Sequence, residues 1–364
     1  MLRLSSIGRL LLIGGAAAIL AAACGGSTAG SPSPSPVDVG QGSLVGAGAT
    51  FPGPFYTKAF ADYSAKYPQV TINYQSVGSG AGIKQFQAKT VDFGASDVPM
   101  GSADITTAGG SDALTQIPTT LGVISIAYNI SGVSSLNLDG PTLANIYLGH
   151  IKNWNNADIA ALNSGTTLPN KPIIVAHRAD SSGTSYHFTD YLAKVSDEWK
   201  TKVGVAKAVS WPVSGNGGQG NQGVAQIVQS TDGALGYVEL AYVVQTGMKQ
   251  AAIKNANGKF VQASVAGATA AAGTNTSVSP TNFSITNAAC DACYPISGFS
   301  WVILYTNYTD ATKGKAVVYL FKWLVTSGQS DGSDLQYAPL PSSVQQLALT
   351  NLKLIKSGGS PILR

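Results

Sequence analysis

The chain has 364 residues, 44% of them hydrophobic and 11% charged, with 42 glycines. That excludes a disordered protein and leaves room for two lobes around separate cores. The formal net charge of +4 drops to about +2 without Arg3 and Arg9, and no Lys/Arg-rich run occurs, which excludes a nucleic-acid footprint.

Residues 1–23 read as a signal peptide. Arg3 and Arg9 form a basic start, and LLLIGGAAAIL at 10–20 is an apolar stretch too short to span a bilayer comfortably. Small residues at 21–23 precede Cys24, which resembles a bacterial lipobox. The departure is Ala21, where that pattern usually has leucine; Leu20 sits one place earlier. The alternative is an ordinary secretory signal with an incidental cysteine. GGSTAGSPSPSP follows Cys24, so residues 24–42 read as a flexible Ser/Pro linker. Acyl chains such as palmitate on Cys24 would anchor the protein to the membrane.

Beyond the linker, hydrophobic periodicity predicts a strand at 44–47, a helix at 54–67, a strand at 70–75, a helix at 83–90, a strand at 91–95 and a helix from about Ser102. A long apolar strand follows at 121–130. Helices at 142–148 and 158–164, a strand at 173–176 and one amphipathic helix at 185–200 come next. The Gly-rich run 215–223 reads as a loop starting a helix at Val224, before a strand at 234–239 and a hairpin turn at Asn257-Gly258. A second long strand at 296–306 and helices at 312–326 and 342–356 close the chain. This pattern predicts an α/β architecture of two lobes joined by two crossover strands, with a ligand cleft between them. Lobe I is expected over 43–123 plus 297–364 and lobe II over 124–296.

Cys290 and Cys293 form CDAC in a compartment that permits disulfides, and no second ligand pair for zinc accompanies them. A small disulfide is expected, with a free pair or a metal as alternatives.

Four glycine-punctuated stretches follow strand-like runs: GAGATFP at 46–52, VGSGAG at 77–82, DFGASD at 92–97 and HRADSSGTS at 177–185. Small residues and helix starts supply close backbone N–H donors, so together they read as a cage for one small oxyanion. Thr50, Ser79, Ser182 and Thr184 offer hydroxyls. Phe51, Gly183 and Thr184 offer N–H groups. Arg178 offers a planar fork, which Asp180 could hold in place. Asp97 beside an anion makes sense if the guest carries its own proton, as phosphate does and sulfate does not.

These stretches, with IYLGHIKNW at 146–154, YLAKVSDEW at 191–199, GALGYVELAY at 233–242 and LQYAPLP at 335–341, closely resemble the phosphate-binding proteins of ABC-type phosphate importers, the PstS family. The resemblance covers nearly the whole mature chain. It implies a type II periplasmic-binding-protein fold with inorganic phosphate between the lobes. Thr50, Phe51 and Ser79 would be ligands from one lobe, with Asp97 as proton acceptor. Arg178, Ser182, Gly183 and Thr184 would be ligands from the other. It further implies a monomeric, lipid-anchored receptor on the outer face of the cytoplasmic membrane, partnered by permease subunits, with no enzymatic activity and no metal or cofactor. Two features depart from the family: Gly80 stands where a second serine is common, and CDAC is unlike many relatives. The competing readings are a receptor for another tetrahedral oxyanion and a secreted phosphate-ester hydrolase. The hydrolase is disfavoured because the three histidines form no triad and no GxSxG elbow occurs.

Overall fold

Small and apolar residues alternate at the start of the described chain, which in this computed structural model comprises residues 37–363. The signal peptide, Cys24 and most of the linker lie outside those residues. Val39 is already buried, and β1 (Gly42–Gly48) begins one residue before the expected boundary. β1 pairs in parallel with β2 (Val70–Ser76) and β3 (Phe93–Ser96). Between β1 and β2, α1 (Gly53–Lys66) buries Phe55, Tyr56, Ala59, Phe60 and Tyr63, the spacing of one helix face.

α2 (Ser79–Gln87) starts ahead of the helix expected at 83–90. Its first turn, Ser79-Gly80-Ala81-Gly82, lacks an apolar stripe, so periodicity misses it. Gly82 is needed there because a Cβ would lie 2.4 Å from the Gly48 Cα. α3 (Ser102–Thr107) follows, and then β4 (Leu114–Asn129), 16 residues long and almost entirely buried. β4 extends well upstream of the expected 121–130 because its polar residues find buried partners. Gln116 Oε1 accepts from Met100 N at 2.6 Å, and Thr119 Oγ1 donates to Ser300 O at 3.2 Å. Pro118 is accommodated by a register shift opposite Ser300 and Trp301.

The next segment runs through β5 (Asn137–Leu138), α4 (Gly140–Tyr147), α5 (Ala157–Leu162) and β6 (Ile174–Arg178) to α6 (Gly183–Val195) and α7 (Asp197–Lys202). The single helix expected at 185–200 is therefore two. Ser196 leaves helical geometry (φ −146°) and its hydroxyl accepts from Trp199 N at 3.2 Å, capping α7. β7 (Asn216–Gly218), α8 (Gly220–Ser230) and β8 (Ala234–Glu239) follow, with α8 starting inside the expected loop.

α9 (Leu240–Thr246) and, after the short strands β9 (Lys249–Gln250), β10 (Ala252–Lys254) and β11 (Phe260–Val261), α10 (Val265–Gly273) were not expected. α9 leaves β8 with no turn residue and is capped by a glutamate, Glu239. α10 is an Ala/Gly run with little apolar contrast. β12 (Ser297–Tyr305), α11 (Ala311–Leu324) and α12 (Ser342–Leu352) complete the frame.

The main sheet runs β2-β1-β3-β12-β4-β8-β6-β7, with β9 also on β4. β4 pairs antiparallel with β12 up to Val123 and with β8 from Ile124 onward. Loops leaving the carboxyl ends of β1, β3 and β6 thus meet near that handover, the kind of switch point outside strand carboxyl ends where open α/β sheets bind ligands.

Candidate functional site

The first loop is anchored by its carbonyls. Gly48 has φ +153°, and a Cβ there would lie 1.9 Å from Ala95 O, so only glycine lets β1 turn away. Tyr74 donates its hydroxyl proton to Ala49 O at 2.7 Å, Tyr242 to Thr50 O at 2.7 Å, and Tyr337 to Phe51 O at 2.6 Å. In a trans peptide the following N–H points the opposite way. Tying the Ala49 and Thr50 carbonyls to tyrosines therefore aims the N–H groups of Thr50 and Phe51 in the other direction. Both residues are buried.

Ser79 is the first residue of α2, entered through Gly78 at φ +98°. Its hydroxyl accepts from Asp97 N and Gly183 N, both at 3.2 Å, and faces Asp97 Oδ2 at 3.4 Å. Asp97 is 1% exposed. Ser300 donates to its Oδ1 at 2.8 Å, and His187 Nε2 lies 2.9 Å from its backbone oxygen. Burial pushes the Asp97 carboxyl up to about 7, against the pull of the Ser300 hydroxyl, the Arg178 charge and Ser79.

Arg178 ends β6 with its side chain buried. Nε and Nη2 form a fork on Asp180 Oδ1 and Oδ2 at 2.7 and 2.5 Å, and Nη1 donates to Thr184 Oγ1 at 3.2 Å. Ser182 caps α6, accepting from Ser185 N at 3.1 Å, which leaves its proton available as a donor. Gly183 and Thr184 open α6, where N–H groups have no partner within the helix. Gly80 N donates to Ser181 O at 2.9 Å, and a Cβ on Gly80 would lie 2.4 Å from Ser181 Cβ. The family's second serine would therefore collide here.

The structure thus brings together Thr50, Ser79, Asp97, Arg178, Gly183 and Thr184, with Phe51 and Ser182 as their chain neighbours and Asp180 behind Arg178. Several participants were missed. Asn221, Ser300 and His187 are buried polar residues that touch the predicted set. Glu239 is 0% exposed, and burial raises its pKa well above the usual carboxylate range; its Oε2 accepts from Ala241 N at 3.0 Å. Asn221 sits in a glycine-rich run that reads as a loop, and no local sequence signal ties Tyr74, Tyr242 or Tyr337 to the loop carbonyls they hold.

Cys290 and Cys293 are joined in a disulfide. Asn255 Nδ2 lies within 3.0–3.2 Å of the carbonyl oxygens of Cys290, Asp291 and Cys293, tying this turn to the Asn257-Gly258 hairpin. Among the described residues no His/Cys/Asp/Glu group could hold a metal ion, and no helix is long and apolar enough to cross a membrane.

A buried cage of hydroxyl and N–H donors around one carboxyl, set at helix starts beside a strand shared by two sheet halves, defines a solute-binding protein for a small oxyanion. A family model described as a PBP superfamily domain matches residues 33–322. The phosphate-binding protein PstS of Xylella fastidiosa (strain 9a5c) is 43% identical over 305 residues, covering 83% of this chain and 82% of its own. PstS of Pasteurella multocida (strain Pm70) is 41% identical over 308 residues, covering 84% and 88%. A high affinity periplasmic phosphate-binding protein, solved bound with phosphate, shares the fold at a TM-score of 0.68 and 22% identity, covering 85% of this chain and 93% of that one. The chain belongs to the PstS family of phosphate-binding proteins within the PBP superfamily.

Proposed function

We propose that the protein captures inorganic phosphate outside the cytoplasm and delivers it to an ABC-type importer, without turning it over. The observation that carries this reading is Asp97, a buried carboxyl among neutral donors. It suits a guest that keeps a proton to give, while Thr50, Phe51, Ser79, Arg178, Ser182, Gly183 and Thr184 serve the remaining oxygens. Ring nitrogens of His177 and His187 lie against the backbone oxygens of Arg178 and Asp97, which does not favour the hydrolase. Calorimetric titration tests the reading. Phosphate binds, arsenate binds because it also carries protons, and sulfate binds at least about 100-fold more weakly, given a penalty of several kcal/mol for an unpaired buried charge. Sulfate binding as tight as phosphate would sink it.

The two sheet halves act as lobes, 43–123 plus 297–364 and 124–296, hinged where β4 changes partner and where β12 begins. Ligands from both lobes would shift the population toward the closed form. Contraction on phosphate addition, read by small-angle scattering, tests this. Lipid on Cys24 holds the receptor, as a monomer, at the outer face of the membrane beside its permease. Cys24→Ser should release it into the medium, and retention at the membrane would contradict the anchor.

A further inference from the structure

We infer that Asn221 is a positioning residue that strengthens phosphate binding by forcing two hydroxyls of the cage to be donors only. This rests on the phosphate-receptor reading and deepens it.

The argument is an accounting of lone pairs and protons. A threonine hydroxyl has two acceptor positions and one proton. On Thr50 Oγ1 both acceptor positions are filled by Asn221, through its backbone N at 3.2 Å and its Nδ2 at 2.9 Å. On Thr184 Oγ1 one is filled by Asn221 Nδ2 at 3.1 Å and the other by Arg178 Nη1 at 3.2 Å. The amide has two protons and spends one on each hydroxyl. Its orientation is not arbitrary, because Oδ1 accepts from Glu239 N at 3.0 Å, a donor that cannot reverse. Asn221 is 0% exposed, so bulk solvent does not reach it.

Each hydroxyl is left with one thing to offer, its proton. A ligand oxygen facing Thr50 or Thr184 must therefore be an acceptor. Ser79 differs, because its two acceptor positions are taken by Asp97 N and Gly183 N and its proton faces Asp97 Oδ2 at 3.4 Å. Thr50 and Thr184 are thus the two hydroxyls of the cage that Asn221 commits as donors, beside the one acceptor, Asp97. Without Asn221 the two threonines could rotate and accept from a protonated guest oxygen.

The test is a double-mutant cycle on phosphate affinity by calorimetry. In the otherwise native chain, Asn221→Ala should weaken phosphate binding about 10- to 100-fold, the scale of one or two hydrogen bonds to a charged group. In a Thr50→Val/Thr184→Val background, which has no hydroxyls left to orient, the same substitution should cost less than about threefold, the scatter of additivity for independent sites. An equal loss in both backgrounds would mean that Asn221 acts only through general packing and would overturn the inference. Should Asn221→Ala not fold, the isosteric Asn221→Asp carries the test. Its carboxylate accepts where the amide donated and reverses both hydroxyls, so the loss should be at least as large, and native-like affinity would overturn the inference. If the native chain itself binds no phosphate, the receptor reading falls and the inference with it. If the native chain binds and the Asn221 variants bind equally well, only the inference falls.

Discussion

The Cα of Gly183 packs against the side chain of Asp97 so closely that a methyl group on it would lie 2.4 Å from Asp97 Cβ and 2.5 Å from Asp97 Oδ2. The contact joins the first turn of α6 to the loop after β3, which lie in different halves of the sheet. Alanine is a good helix residue, so Gly183→Ala should leave the ligand-free protein folded, its Tm within a few degrees of the parent. It should instead hold the two halves apart. Overpacking of this kind costs about 1–3 kcal/mol, or roughly 5- to 150-fold in phosphate affinity. Titration of the variant reads the loss; unchanged affinity would show that the halves need not close this far.

Asp97 also links stability to pH. Its folded-state value, pushed up to about 7 by burial, lies above the unfolded value of 3.8. The native protein then holds the proton more tightly than the unfolded chain. Stability of the ligand-free protein falls as pH rises from about 4 to about 7 and levels off above. Asp97→Asn should flatten that slope, as measured by urea unfolding across the range. The same variant should narrow the preference for phosphate over sulfate, because an amide does not repel a fully ionised guest. A selectivity ratio equal to that of the parent would remove Asp97 from the recognition step.

A second buried acid works through a tyrosine. Tyr337 Oη lies 2.6 Å from Phe51 O and 3.0 Å from Glu239 Oε2. The phenol has one proton and two acceptors in reach, the nearer being Phe51 O and the other Glu239 Oε2. Burial raises the pKa of Glu239 well above the usual carboxylate range, against the pull of the Tyr337 hydroxyl and the Ala241 N–H, which favours the protonated acid. Glu239→Gln is neutral and can keep a carbonyl oxygen where Oε2 accepts from both Tyr337 Oη and Ala241 N, so stability should stay within about 1 kcal/mol of the parent at neutral pH. Glu239→Ala removes both contacts and should cost about 1–3 kcal/mol. Between the usual glutamate value and the raised one, the parent loses stability as pH rises, and the glutamine variant should not lose that share. A glutamine variant as unstable as the alanine one would mean that Glu239 is held as the anion.

The parts of this design that were legible in sequence are those that depend on local chain chemistry. Glycines before a helix start, a serine at an N-cap and an arginine two residues from an aspartate announce themselves within one short window. So did the strands whose burial is nearly continuous. What was not legible depends on partners far away in the chain. Thr119 and Gln116 look unlike core-strand residues until Ser300 and Met100 come alongside. Asn221 is one polar residue among glycines until Thr50, Thr184 and Glu239 converge on it. The one helix expected over 185–200 broke at Ser196 because a single hydroxyl capping Trp199 N outweighs an unbroken apolar stripe, and periodicity does not register caps of that kind.

The Arg178–Asp180 pair separates charge from geometry. Asp180 occupies Nε and Nη2, Thr184 takes one proton of Nη1, and Gly220 N reaches the same carboxylate at 3.2 Å. The guanidinium is held flat, with its remaining N–H groups set in one plane. Lysine keeps the charge but cannot span Asp180 and Thr184 together, and its ammonium directs its protons tetrahedrally. Arg178→Lys should therefore weaken phosphate binding about 10- to 100-fold, the scale of one or two charge-assisted hydrogen bonds. Because the positive charge remains, raising the salt concentration should weaken binding by a similar factor in parent and variant. If the lysine variant binds as tightly as the parent, the contact is a matter of net charge, and the fork that Asp180 maintains plays no part in recognition.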